Sequence, residues 1–179
     1  MGGIKKTLPE SCLSWTYILD MIFITLGNQN FQFERLLKRV EDLILKGVIT
    51  DKVVAQTGFT VFNSKLIETV AFLSKEEFNE YIDVSDYVIS HAGTGSIISC
   101  LTKNKKVIVA SRLKQHKEHI DDHQLEILQV FKNKKLIIGL NQELSDFEEK
   151  VLSVKNINVD LFVSNNNKFN KDLIKIIEG

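Results

Sequence analysis

An excess of charge of either sign is missing from this chain: Lys plus Arg and Asp plus Glu stand at 23 each over 179 residues. That balance argues against the broad basic footprint nucleic acid demands, so no nucleic-acid partner is expected. Two local basic clusters, "KNKK" at 103–106 and again at 132–135, read as short solvated turns. Cysteine is scarce, with only Cys12 and Cys100. One lies in an unusual N-terminal segment and the other in an apolar helical pattern. No disulfide framework is expected, and a reducing, cytoplasmic setting fits. No run of 18 or more apolar residues occurs, so no transmembrane helix is expected. The opening "MGGIKKTLPESCLSWTYILD" has its apolar stretch broken by Ser14 and Asp20 and makes a poor signal peptide. Its Met-Gly start has Lys6 where myristoylation wants a hydroxyl residue. The single proline, Pro9, precedes the patterned part of the chain.

What is present is an ordinary globular composition, 44% apolar and 26% charged, on a chain long enough for one full core. Short apolar runs alternate with helical patterns from residue 21 onwards. "MIFITLG" (21–27) reads as a buried strand. In "FERLLKRVEDLILKG" the residues Phe33, Leu36, Leu37, Val40, Leu43 and Ile44 recur at helical spacing, and Gly47 supplies a stop. "KVVAQTG" (52–58) and "ETVAFL" (68–73) are further strands. Ser74, with Glu77 three residues on, predicts a capping box at the start of "KEEFNEYIDVS". "YVIS" (87–90) leads into a glycine loop and a helix to about Lys103, and "KVIVA" (106–110) is a fifth strand. A helix from about Asp121 to Phe131, a sixth strand "KLIIG" (135–139) and a helix in "ELSDFEEKVLSV" follow.

Strands alternating with helices predict parallel β-α-β units. The fold class expected is α/β, a doubly wound parallel Rossmann-like sheet forming one domain over residues 21–155. Residues 1–20 fit that plan poorly, as an N-terminal extension or a start placed upstream of Met21. Residues 156–179 read as an asparagine-rich link and a short amphipathic helix with Phe169, Leu173, Ile174, Ile176 and Ile177, suited to packing on the domain or docking a partner.

Ligands of open α/β sheets sit at the carboxyl ends of the strands. Three segments fall there: "TLGNQNF" (25–31), "SHAGTGS" (90–96) and "SRLKQHKEHIDDHQ" (111–124). "HAGTGS" has neither the lysine of a Walker loop nor the spacing of the dinucleotide fingerprint. Gly93 and Gly95 would let a phosphate approach the backbone. The amides that open the following helix favour an anion, and Thr94 and Ser96 add hydroxyl donors. A glycine pair serves a bare strand-to-helix turn equally well, and His91 beside it is as well suited to structure as to binding. In "HKEHIDDH", His116, His119 and His123 would share a face only on a continuous helix. A loop followed by a helix start near Asp121 breaks that face, and no metal site is expected.

"VISHAGTGSIISCL", followed by a strand and then "DDHQ", resembles the C-terminal, donor-binding half of GT-B glycosyltransferases of the MurG type. It is closer to a shorter class in which that half is a separate polypeptide. One branch is the catalytic subunit of the eukaryotic dolichol-pathway N-acetylglucosaminyltransferase. The other is the bacterial PssE-like subunit of capsule and exopolysaccharide glycosyltransferases, which "MIFITLGNQNFQFERLL", "AQTG" and "RLKQHKEHIDDHQLE" resemble most. The resemblance spans about residues 21–140. It implies a UDP-sugar donor held at Gly27, Asn28, His91, Gly93, Thr94, Gly95, Ser96, His123 and Gln124, with the Gly93–Ser96 turn on the diphosphate. His91 would shape the turn or contact the donor, and Asp122 would order its loop or cap its helix. No cofactor and no bound metal are implied.

Two departures from the resemblance stand out. The acidic residue that holds the ribose one turn into the helix in MurG-like enzymes is matched to Cys100, a poor acceptor. The Thr-His of PssE-like first loops is Asn28-Gln29, which removes a titratable base at that point. No catalytic residue is assigned. Glycosyl transfer also needs an acceptor site and a base. The chain is too short for the second domain of a GT-B cleft, so the resemblance implies one subunit of a heteromer. Its partner would be a PssD-like, membrane-associated protein binding a lipid-linked saccharide acceptor, which would recruit this chain to the inner face of the membrane. The reaction implied is inverting galactosyl or glucuronosyl transfer in capsule or exopolysaccharide synthesis. Alternatives are an N-acetylglucosamine transferase subunit, a non-catalytic enhancer of the partner, and a stand-alone nucleotide-binding domain, against which the missing dinucleotide fingerprint argues.

Overall fold

The structure is a computed structural model, and it describes residues 20–163. Six parallel strands form one sheet in the order β3-β2-β1-β4-β5-β6. In chain order the elements are β1 (Met21–Thr25), α1 (Glu34–Leu45), β2 (Lys52–Gln56), β3 (Glu68–Val70), α2 (Lys75–Val84), β4 (Tyr87–His91), α3 (Thr94–Thr102), β5 (Val107–Ala110), α4 (His123–Asn133), β6 (Ile138–Gly139) and α5 (Phe147–Ser153), with a 3-10 turn at Lys114–His116. This is the doubly wound arrangement expected from the alternating pattern, and β1 and β4 lie at its topological switch point.

The sheet separates two cores, because successive side chains of a strand point to opposite faces. Ile22 and Ile24 of β1, Ile89 of β4 and Ile108 of β5 join Leu36, Leu37, Val40 and Leu43 of α1 and Phe147 and Val151 of α5 on one side. Phe23, Val88, Val107 and Val109 join Ile82 of α2, Ile97 and Leu101 of α3, and Ile127, Leu128 and Phe131 of α4 on the other. Strands buried on both faces need near-continuous apolar runs, as in β1 and β4. Each fully buried Leu, Ile or Phe of these layers contributes roughly 1.5–3 kcal/mol of transfer free energy.

The boundaries differ from expectation in three places. The sixth strand is only Ile138–Gly139. The preceding Leu136 is drawn into the end of α4, its amide donating to the Phe131 carbonyl. Helix α4 starts at His123, not Asp121, since Asp121 and Asp122 turn their carboxylates back on the chain to accept the amides of His123 and Lys114. The last helix starts at Phe147 instead of within "ELSD", because Asn141, Ser145 and Asp146 close a turn on one another. Ser74 and Glu77 form the predicted capping box at the start of α2. Of the C-terminal link, Ile157 and Val159 pack against the first core. The N-terminal segment 1–19 and the amphipathic pattern after residue 163 lie outside the described residues.

Candidate functional site

The carboxyl ends of β1, β2 and β4 and the N-termini of α2, α3 and α4 open onto one cavity of about 650 Å³. All nine residues expected to hold a donor line it: Gly27, Asn28, His91, Gly93, Thr94, Gly95, Ser96, His123 and Gln124. The three loops singled out in the sequence therefore converge on a single concavity.

His91 ends β4 and is buried, with its ring between two glycines. A Cβ at Gly27, whose φ is +74°, would lie 2.6 Å from the imidazole Nε2, and one at Gly93 would overlap the same atom. These glycines are required by the close packing of two loops around one ring. Burial, with Arg112 nearby, pushes the His91 pKa down to about 3. The ring is therefore neutral, with Nδ1 donating to the Thr25 carbonyl at 3.2 Å, a tautomer assigned from that contact. Of the two roles left open for His91, shaping the turn is the one this packing displays.

Around it the polar side chains are committed in one direction. The Thr25 hydroxyl donates to Gln56 Oε1 at 2.6 Å, and Gln56 Nε2 donates to Asn28 Oδ1. The Asn28 carbonyl is thus engaged, and its amide NH2 is left to donate. Gln124 is held alike: Oε1 accepts the Arg112 amide at 3.0 Å, and its main-chain carbonyl accepts the Ser111 hydroxyl at 3.1 Å. Its NH2 is the group left over.

Helix α3 completes this donor set. Its N-cap, Gly93, has no side chain to cap with, and the amides of Thr94, Gly95 and Ser96 donate to no loop carbonyl. Among the five described α-helices it is the one with no acid in its first turn. Helix α2 opens on the same cavity but is already capped by Ser74 and Glu77. Among the described residues, no carboxylate lines the cavity. Asp121 and Glu126 stand behind His119 and His123 at 2.8 and 3.5 Å. Uncapped amides, amide NH2 groups, hydroxyls and a lining without acids suit an anion.

The position matched to the ribose acid needs correcting. Cys100 is fully buried in the second core, its thiol pushed up to about 12 by desolvation, and it does not reach the cavity. Ser99 lines the wall instead, with its hydroxyl donating to the Gly95 carbonyl at 2.9 Å. Asp122 orders its loop by accepting the Lys114 amide at 2.9 Å, and Asp121 accepts the His123 amide at 3.0 Å. The three histidines are divided between the 3-10 turn, the loop and α4. Among the described residues, no group of three or more His, Cys, Asp or Glu is gathered to hold a metal.

Sequence reasoning missed the framework under the site. Arg112 is fully buried, and its Nη2 donates to the carbonyls of Leu26 at 2.7 Å and Phe31 at 3.3 Å. Its Nε and Nη1 have no partner among the described residues, and the guanidinium lies over the Phe33 ring. Burial pulls its pKa down to about 10, against the opposing effect of Glu118. Arg35 of α1 grips Glu118 with two hydrogen bonds of 2.9 Å, and the Phe31 ring meets the His119 ring 4.6 Å away. The first and third loops are thereby clasped together. Gln56 was missed as well, although a glutamine at the carboxyl end of an apolar strand was the available signal.

The glycosyltransferase family 28 C-terminal domain matches residues 21–177. The UDP-N-acetylglucosamine transferase subunit ALG13 of Candida albicans is 39% identical over 115 residues, covering 64% of this chain and 33% of that protein. The subunit of the same name from Candida glabrata is 34% identical over 98 residues, covering 54% of this chain and 46% of its own length. The chain thus spans between a third and a half of these curated relatives. Among solved structures, an NMR structure of ALG13 superposes with a TM-score of 0.57 at 23% identity, covering 90% of this chain and 98% of that one. The glycosyltransferase SnogD from Streptomyces nogalater superposes at 0.54 and 12% identity, covering 99% of this chain and 43% of that one. At these identities the structural likeness speaks for the fold, that of one half of a GT-B enzyme.

Proposed function

This chain belongs to the glycosyltransferase family 28 C-terminal domain family, and from that premise we propose that it is the donor-binding subunit of a two-component UDP-N-acetylglucosamine transferase. The observation that carries the reading is the uncapped, acid-free start of α3, which opens into a cavity lined by donors and by no carboxylate. A diphosphate leaving group satisfies those amides, and the negative charge that grows on it as the glycosidic bond breaks is stabilised by them. Asn28 and Gln124 present NH2 groups to the sugar or its phosphates.

The choice of sugar is supported by the relatives, which carry the name UDP-N-acetylglucosamine transferase subunit. They support that donor over the galactosyl or glucuronosyl donors of capsule and exopolysaccharide synthesis. In this reading a membrane-associated partner supplies the acceptor half of the cleft, binds a lipid-linked saccharide and provides the base. His91, with its pKa near 3, is too weak a base for that step at neutral pH. The chain works in the cytoplasm at the membrane surface, and transfer inverts the anomeric centre without a bound metal.

Calorimetric titration of the purified chain with UDP-N-acetylglucosamine, UDP-galactose and UDP-glucuronic acid tests this, with Gly93→Val as the control. Selective binding of the first, abolished by the substitution, is the expected outcome. Binding of no UDP-sugar refutes the donor site and leaves a non-catalytic role beside the partner.

A further inference from the structure

One cation in the cavity has no part in the donor set assembled above. Lys75 is the first residue of α2 and lines the same cavity as Gly93, Thr94, Gly95 and Ser96. An ammonium at a helix N-terminus sits against the positive end of the helix dipole, so the fold gains nothing from it there. Lys75 makes no hydrogen bond and no ion pair among the described residues. The nearest capping carboxylate, Glu77, is already engaged by the amide and hydroxyl of Ser74 at 2.8 Å each. Among the described residues, no acid lines the cavity beside Lys75. Lys75 is exposed, so water serves its ammonium in the free protein, and an anion entering the cavity would be its first fixed partner among the described residues.

We propose that Lys75 is a phosphate anchor of this site, pairing through its ammonium with the diphosphate whose other oxygens rest on the α3 amides. The inference rests on the donor-site reading and extends it: recognition is weighted toward phosphate charge. An acid-free wall at Ser99 offers the ribose only a hydroxyl, while the phosphates meet amides from one helix and a cation from another. The ligand class favoured is a nucleoside diphosphate over the monophosphate, and both over the nucleoside. A lysine here acts as a flexible point charge, not as a fixed fork, so arginine should substitute for it in part.

The test is titration of the full chain with UDP, UMP and uridine at 50 and 500 mM KCl, for the unaltered protein and for Lys75→Met and Lys75→Arg. Lys75→Met keeps the aliphatic stem and removes the charge. The expected result is a loss of about tenfold in UDP affinity for Lys75→Met at low salt. A smaller loss is expected for Lys75→Arg, together with a shallower salt dependence for the methionine variant. Unchanged UDP affinity in Lys75→Met, with Gly93→Val still abolishing binding, overturns the role of Lys75 and leaves the donor site standing. Absence of UDP binding by the unaltered chain overturns both. Circular dichroism of each variant separates loss of binding from loss of fold.

Discussion

Replacing Gly93 by alanine asks whether His91 sets the glycine requirement of the turn before α3. The added Cβ would lie well inside van der Waals contact of the imidazole Nε2. The ring cannot retreat freely, because Gly27 closes its other side and Nδ1 is tied to the Thr25 carbonyl. Overpacking of this kind costs about 1–3 kcal/mol. Removing the ring with His91→Ala leaves a void and takes away one hydrogen bond to the Thr25 carbonyl, at a cost of about 1–3 kcal/mol. In the double variant the new methyl enters the space the ring vacates. The two costs should then fall short of their sum by about 1–3 kcal/mol. Urea unfolding of the four proteins, compared at a common m-value, measures this coupling. If Gly93→Ala alone shows no cooperative transition, its return in the double variant carries the same information. Additivity within about 0.5 kcal/mol refutes the argument, since the glycine would then be required for some other reason.

The His91 imidazole also makes a pH prediction. Its folded pKa, about 3, lies below the unfolded value of 6.5, so below pH 6.5 the unfolded chain binds the extra proton. Its stabilising contribution is complete above pH 6.5 and is lost as pH falls toward 3, by about 2 kcal/mol between pH 6.5 and 5. Urea midpoints of His91→Gln should lack that share of the slope. Arg112→Met should lower stability by about 1–3 kcal/mol, by removing the guanidinium donor from the Leu26 and Phe31 carbonyls, and should weaken UDP binding through the first loop; unfolding and titration measure the two effects. Ser74→Ala removes the α2 capping box at a cost of about 1 kcal/mol, read from thermal unfolding. In a Cys12→Ser background, the Cys100 thiol should stay unreactive toward iodoacetamide at pH 8 until denaturant exposes it.

Much of this was legible in the sequence, for reasons that can be named. Strands β1 and β4 announce themselves because burial on both faces demands unbroken apolar runs. The Ser74–Glu77 spacing is a local rule that needs no tertiary information. The three site loops could be gathered because every strand is parallel, so all carboxyl ends share one edge. The wall position was missed by one residue, Cys100 for Ser99. Each residue turns a helix by about 100°, and a shift of one exchanges core for cavity. Arg112 could not be read at all. An arginine among lysines and histidines looks solvated, and only the folding of two distant loops over it makes it buried.

The clasp beneath the cavity has a consequence for exchange with solvent. Arg112 reaches under the first loop from the end of β5, and Arg35 reaches back from α1 to Glu118. To lift either loop away strips hydrogen-bond partners from a guanidinium already short of them. Opening of the ligand edge is therefore tied to loss of the neighbouring layers, and the amides of Leu26 to Phe33 and Ser111 to Glu118 should share one opening free energy. For the UDP-sugar proposed as donor, the clasp predicts walls that change little on binding, so association should proceed without a slow isomerisation, at a rate set by encounter and charge.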